Sequence, residues 1–160
     1  MRDKEIPSHM VATEAAPRNT PSSYPPEFAA RMQGRVKHPL GDVFGLSNFG
    51  VNLTSLEPGA HSALRHSHQL QDEFIYVIEG EVTLVTNEGS SILLGGMCAG
   101  FPAGSANAHH LINRSARRVI VLEVGDRSPG DVVTYPDDDL TAHRGNDGKW
   151  TYLHKNGAPY

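Results

Sequence analysis

The 160-residue sequence predicts an all-β barrel or sandwich. Short runs rich in β-branched and aromatic residues recur between Asn48 and Val124, about 8–12 residues apart. Gly, Pro and Asn punctuate them where the chain must turn, and little between them reads as helix. Closing such strands into a barrel removes the unpaired edges that an open sheet would expose.

The elements follow in order. Residues 1–33 carry Pro7, Pro17, Pro21, Pro25 and Pro26 among Ser, Ala and charged residues. They read as an N-terminal arm without a core of its own, ordered only against the barrel or a partner subunit. Within the arm, residues 27–33 suit one short helix, because proline's fixed φ favours the first helical turn. The barrel is expected over 34–125. A strand over 49–56 ends at the turn Pro58-Gly59, and a second is expected over 63–68. Residues 73–78 are the most strand-like run, and Glu79-Gly80 joins them to 81–86 as a hairpin. Asn87-Glu88-Gly89 turns the chain into 91–94. Gly95-Gly96 breaks it before 97–101, and Pro102-Ala103-Gly104 turns it again before strands at 109–113 and 118–124. Residues 126–160 form a polar C-terminal tail. Trp150 and Tyr152 at alternating positions mark it as docked on the barrel.

Composition excludes several classes. Formal net charge is −4 with no basic stripe, so nucleic acid is not an expected partner. No run of eighteen apolar residues or signal-peptide pattern is present, so no membrane partner is expected and a cytoplasmic location is. The single Cys98 rules out an internal disulfide and reads as a small buried apolar residue. Phe74, Tyr76 and Ile78 share one strand face, opposite Glu73, Ile75 and Val77. If Glu73 points inward, this apolar stripe points outward, and we expect a homodimer to cover it. Asp137-Asp138-Asp139 reads as a solvated acidic turn, since no calcium-type loop surrounds it.

The chemistry lies in the histidines. Five of nine fall between His61 and His110. His66 and His68 are two apart, so on a strand both point to one face. Glu73 follows five residues later, and His109 or His110 could supply a third imidazole. Such a mixed nitrogen and oxygen set suits zinc, iron, manganese, nickel or copper rather than calcium or magnesium. His61 has the opposite parity and is expected outside the set. His9, His38, His143 and His154 lie in the arm and tail regions and suit surface or packing roles.

Gly59, His66, His68, Glu73 and Gly80 resemble the first sequence motif of the cupin superfamily, with the Gly59 to His66 gap one residue longer than usual. Gly96, Pro102, Gly104, His109 and Asn113 resemble the second, with the Gly104 to His109 loop two residues longer. Residues 34–160 further resemble a group of small bacterial single-domain cupins, some described as proposed sugar-phosphate isomerases. The resemblance implies a double-stranded β-helix, or jelly-roll barrel. It implies one divalent transition metal ion (Zn, Fe, Mn or Ni) on His66, His68, Glu73 and His109. The interval to Asn113 favours His109, with His110 as competitor. Cupins are often dimers.

The resemblance implies a metal-binding single-domain cupin that binds or acts on a small oxygenated molecule, with isomerisation of sugars or sugar phosphates as the first reading. One alternative is an iron-dependent dioxygenase, with Ile75, Val77, Leu84 and Leu111 forming an apolar pocket. The other is a non-catalytic small-ligand-binding cupin. Two features count against the sugar-phosphate version. No inward carboxylate besides Glu73 is legible as a general base, and neither Arg65 nor Arg114 is placed to hold a phosphate.

Overall fold

The computed structural model describes residues 6–19 and 22–160, so residues 1–5 and 20–21 of the expected arm, Pro21 among them, lie outside the described residues. Among the described residues twelve antiparallel strands form three sheets. The first has the order β1 (Arg35–Pro39), β2 (Phe49–Leu56), β9 (Val119–Asp126), β4 (Glu73–Glu79), β7 (Cys98–Phe101). The second has the order β12 (Trp150–Leu153), β11 (Leu140–Arg144), β10 (Val132–Tyr135), β3 (Ser67–His68). The third is β6 (Gly89–Leu94), β5 (Glu81–Thr86), β8 (His110–Ile112). Isolated bridges from His61 to Ile112 and from His66 to His109 link the second sheet to the third. The expected all-β barrel is what the chain forms.

Alternation along the five-stranded sheet sorts its side chains. Val119, Val121, Ile75, Val77 and Leu56 point inward and meet Val82, Leu93 and Leu111 of the third sheet in one buried cluster. Phe74, Tyr76 and Ile78 point outward and are 42%, 39% and 47% exposed in the isolated chain. Cys98 pairs with Tyr76 across the strands and is exposed on that same outer face, which corrects the expectation of a buried thiol. Strand parity, rather than cysteine's usual preference for burial, decided its side.

The two ends of the chain are built into the structure. A short helix, α1 (Pro26–Ala29), continues into a 3₁₀ turn over Ala30–Met32, as the proline start suggested. It buries Phe28 and Met32 against Leu64, Val133, Tyr135, Leu140 and Ala142. Residues after 125 contribute β10, β11 and β12, and Trp150 and Tyr152 pack on the same cluster. The acidic turn is tied at each position: Asp137 to Arg65 at 2.7 Å, Asp138 to Arg31 at 2.5 Å, Asp139 to His154 at 2.9 Å.

Two motif residues hold turns in place. Gly59, Gly80, Gly96 and Gly104 all have positive φ. At Gly80, with φ of 90°, an added Cβ would also lie 3.1 Å from Val119 Cγ2 and 3.2 Å from the Arg118 carbonyl. Asn113 is fully buried. Its Nδ2 donates to the carbonyls of Leu56 and Arg117 at 2.8 and 2.7 Å, and its Oδ1 accepts from the backbone and hydroxyl of Ser115. Asn113→Ala strands these buried groups and should lower the unfolding free energy by about 2–4 kcal/mol. The check is a urea titration, where the midpoint falls and the slope is unchanged.

Candidate functional site

The strand expected over 63–68 is shorter than its sequence suggested, because the chain bends before β3. What holds its end is a reciprocal backbone pair. His66 N–H donates to the His109 carbonyl at 3.1 Å, and His109 N–H donates to the His66 carbonyl at 2.8 Å. Residues so paired stand directly opposite one another on one side of the ladder. The two imidazoles are therefore brought together by main-chain geometry, with ring centroids 4.9 Å apart. His68 joins them by strand parity, its ring 5.1 Å from that of His66.

Glu73 arrives from the opposite wall, inward from the start of β4. Its Oε2 lies 3.3 Å from His66 Nε2, 3.5 Å from His68 Nε2 and 3.1 Å from His109 Nε2. Facing atoms of His66, His68 and Glu73 all fall within 4.8 Å of one another, so these three could hold a metal ion. His109 reaches the group through its approach to Glu73. His110 turns the other way and packs edge-on against His61, ring centroids 5.1 Å apart. Burial lowers the His110 pKa to about 4, so it stays neutral.

The buried hydrogen bonds set which nitrogen faces inward. His66 Nδ1 lies 2.7 Å from the Leu64 carbonyl, which can only accept, so that nitrogen donates. His68 Nδ1 lies 2.5 Å from Asp131 Oδ2, and Asp131 also accepts from the Leu70 N–H at 2.7 Å. Burial would raise the Asp131 pKa, but these bonds hold it below the usual value, so it is a carboxylate and the imidazole donates. In the neutral rings the Nε2 lone pairs of both His66 and His68 therefore face the Glu73 oxygen. That oxygen is buried and has no hydrogen-bond partner. Lone pairs facing lone pairs at this range repel unless a cation lies between them. Atoms bound to one ion at about 2.1 Å stand roughly 3.0–3.4 Å apart, close to the separations here. The donor set and its spacing fit a divalent transition metal. Burial alone would raise the Glu73 pKa. Positive charge and N–H donation from His66, His109 and His68 when those rings are protonated outweigh it and hold the carboxyl well below its ordinary value, the part a bound cation would play between neutral rings.

The same residues line a cavity of about 530 Å³. Phe101 stacks flat on His109 at 3.4 Å between centroids, and Tyr135 stacks on His66 at 6.0 Å. Tyr24 of the arm meets Tyr135 and Tyr152 edge-on, each at 5.8 Å, and burial pushes its pKa up to about 12, so it stays a neutral wall.

Sequence reasoning missed several lining groups. Glu123 lies opposite the inward Ile75 and is an inward carboxylate, which corrects the expectation that Glu73 is alone. The signal was present, since Glu123 shares parity with Val119 and Val121 on β9. Lys37 Nζ donates to Glu123 Oε2 at 2.6 Å and Thr54 Oγ1 donates to the same oxygen at 2.7 Å. Arg18, Arg35, Lys37, Arg127 and Arg144 line the cavity, whereas Arg65, paired with Asp137, does not. Asp131 lies in the turn before β10, and no sequence pattern marks it.

Comparison with known proteins agrees with this geometry. Residues 52–125 match the family model for the cupin domain. No curated protein matches the chain. Among solved structures, the chain is similar to a cupin-superfamily sugar phosphate isomerase from Silicibacter pomeroyi, with 41% identity and a TM-score of 0.89 over 95% of this chain and 96% of that one. It is also similar to a proposed sugar phosphate isomerase from Acidithiobacillus ferrooxidans, with 30% identity and a TM-score of 0.71 over 86% and 94% of the two chains. A polyketide cyclase from Streptomyces resistomycificus, 17% identical with a TM-score of 0.60 over 74% and 78% of the two chains, shares the fold. Among the described residues no helix is long and apolar enough to cross a membrane. With sheets of this order, two motif glycine sets in place and near full-length similarity to a cupin at 41% identity, the chain belongs to the cupin superfamily.

Proposed function

We propose that this cupin binds one divalent transition metal ion through His66, His68, Glu73 and His109 and isomerises a small hydroxy-carbonyl compound of the sugar or sugar-phosphate class. The observation that carries the reading is the gathering of three imidazole nitrogens around one buried, otherwise unbonded carboxylate oxygen. Similarity to two structures bearing the sugar phosphate isomerase name supports the reaction class.

A bound ion would polarise neighbouring oxygens of such a ligand and make the carbon-bound proton between them more acidic. The rest falls to the chain's own groups. Glu123 is the carboxylate on the cavity wall that would accept that proton and return it to the adjacent carbon, while the hydroxyl proton passes to the neighbouring carbonyl oxygen. Lys37 and Thr54 both donate to its Oε2, so the lone pairs of Oε1 serve the transfer. Asp131 and the Leu64 carbonyl orient His68 and His66. Phe101 and Tyr135 fix the rings of His109 and His66 and keep water from that side.

Protein purified without added metal should carry close to one equivalent of a single transition metal by elemental analysis. His66→Ala and His68→Ala should each remove it while circular dichroism shows the barrel intact. His109→Ala should lower metal affinity and His110→Ala should not, and the reverse result would exchange their roles. Asp131→Asn should weaken metal binding by about 10–100-fold in a competition titration with a chelator. Glu123→Gln should retain the metal and lose isomerisation across a panel of sugars and their phosphates. Oxygen uptake by the iron-loaded protein, without isomerisation, would replace this reading with an oxygenase. Metal retention with neither activity would leave a ligand-binding module.

A further inference from the structure

We infer that Arg65, outside the cavity, is a positioning residue for His109: through Asn87 it holds the loop 104–108 so that the Asn107 carbonyl backs the third imidazole. The inference rests on the metal reading of the proposed function, and it adds the group that keeps the third ligand aimed.

The first observation is an inequality among the three rings. His66 Nδ1 donates to the Leu64 carbonyl, two residues back, at 2.7 Å, and His68 Nδ1 donates to Asp131 at 2.5 Å. His109 Nδ1 is buried and has no hydrogen-bond partner among the described residues. Burial lowers the pKa of that ring, while Glu73 and the Asn107 carbonyl pull it back up. The Asn107 carbonyl therefore stands close to the ring. It also lies two residues back, the spacing at which the Leu64 carbonyl holds His66.

The second observation is how that carbonyl is held. The loop from Gly104 to His109 is two residues longer than the cupin spacing, and added length leaves more conformations to fix. Its start is tied by the Gly104 N–H, which donates to the His68 carbonyl at 2.9 Å, and its end by the His66–His109 backbone pair. Between them Ala106 has a φ of 54°, and it is the one non-glycine residue with positive φ among the described residues. An L-residue adopts that region at a cost, so surrounding bonds must hold it there. They come from the turn between β5 and β6. Asn87 Nδ2 donates to the Ala106 carbonyl and the Asn87 N–H donates to Asn107 Oδ1, both at 3.0 Å.

Arg65 sets the direction of the Asn87 amide. Its Nη1 donates to Asn87 Oδ1 at 2.5 Å, while Nε and Nη2 donate to the two oxygens of Asp137 at 2.7 Å each. With its oxygen taken by the guanidinium, the amide presents Nδ2 to Ala106. Asp137 is exposed, and a pair of this kind contributes little to stability. Its placement is what matters. Arg65 immediately precedes His66, and Asn107 lies two residues before His109, so one guanidinium bridges both segments of the backbone pair. Without Arg65 the amide is free to turn over. Ala106 then loses its bond and relaxes, and the Asn107 carbonyl withdraws from His109.

The test is a chelator competition for zinc on the full chain, arranged as a double-mutant cycle. Arg31→Gln breaks an ion pair of the same acidic turn without touching Asn87, and it should hold zinc as tightly as wild type. Arg65→Ala and Asn87→Ala should each weaken zinc binding by about three- to tenfold, less than the loss of a group bonded directly to a ligand. In a His109→Ala background Arg65→Ala should cause no further loss. The visible absorption of the cobalt-loaded chain should change in Arg65→Ala and not in Arg31→Gln. Wild-type affinity and spectrum in Arg65→Ala would overturn the inference, as would an equal loss with His109 already removed. If Arg65→Ala fails to fold, Asn87→Ala on its exposed turn decides in the same way. Wild type that takes up no zinc would overturn the metal reading and this inference together, whereas equal zinc affinity in wild type and both variants overturns the inference alone.

Discussion

Everything at the centre of this protein depends on one carboxylate oxygen held among three imidazole nitrogens. Two of those nitrogens have their tautomers set by hydrogen bonds behind them, to the Leu64 carbonyl and to Asp131. The lone pairs so directed repel the Glu73 oxygen, and the fold tolerates the arrangement because each ring is pinned elsewhere. The reciprocal His66–His109 backbone pair fixes two of the rings, and the β4 register fixes the acid. A cluster that would strain a protein with no use for it becomes favourable once a cation accepts all four donors.

The barrel places this polar centre by dividing labour between its sheets. Between the five-stranded and three-stranded sheets lies an apolar cluster around Val77, Val82, Val119 and Val121. Towards the other end of the same strands the inward positions change character, with Ile75 giving way to Glu73 on β4 and Val121 giving way to Glu123 on β9. The four-stranded sheet closes that polar end, and the arm adds Tyr24 to the cavity wall while Phe28 packs in the apolar cluster behind it. One end of the barrel therefore stabilises the fold, while the other carries charge that the apolar end must offset.

Much of this was legible in the sequence, and the limits have physical causes. His66 and His68 could be placed on one face by alternate parity with Glu73 close behind, while the choice of His109 over His110 came with the cupin resemblance, through its interval to Asn113. The strand limits from 73 to 101 were readable because alternate parity and turn glycines leave a strong pattern. β1 was not, because its inward side chains are Arg35 and Lys37 and its outward one is Val36, the reverse of the pattern that marks a strand. Cys98 was misplaced because residue type suggested burial while register put it outside. Asp131 was invisible because it acts through His68 across a separation in sequence that only folding closes. The C-terminal segment looked like a tail since its strands are short and polar, yet they pair with β3 and so help position the His68 end of the site.

The most direct test of the central claim is the X-ray absorption fine structure of the metal-loaded protein at the edge of its bound metal. The account predicts three imidazole scatterers and one carboxylate oxygen at about 2.0–2.2 Å, with one imidazole lost from the shell in His109→Ala. A shell of water oxygens, or one containing a single imidazole, would contradict it.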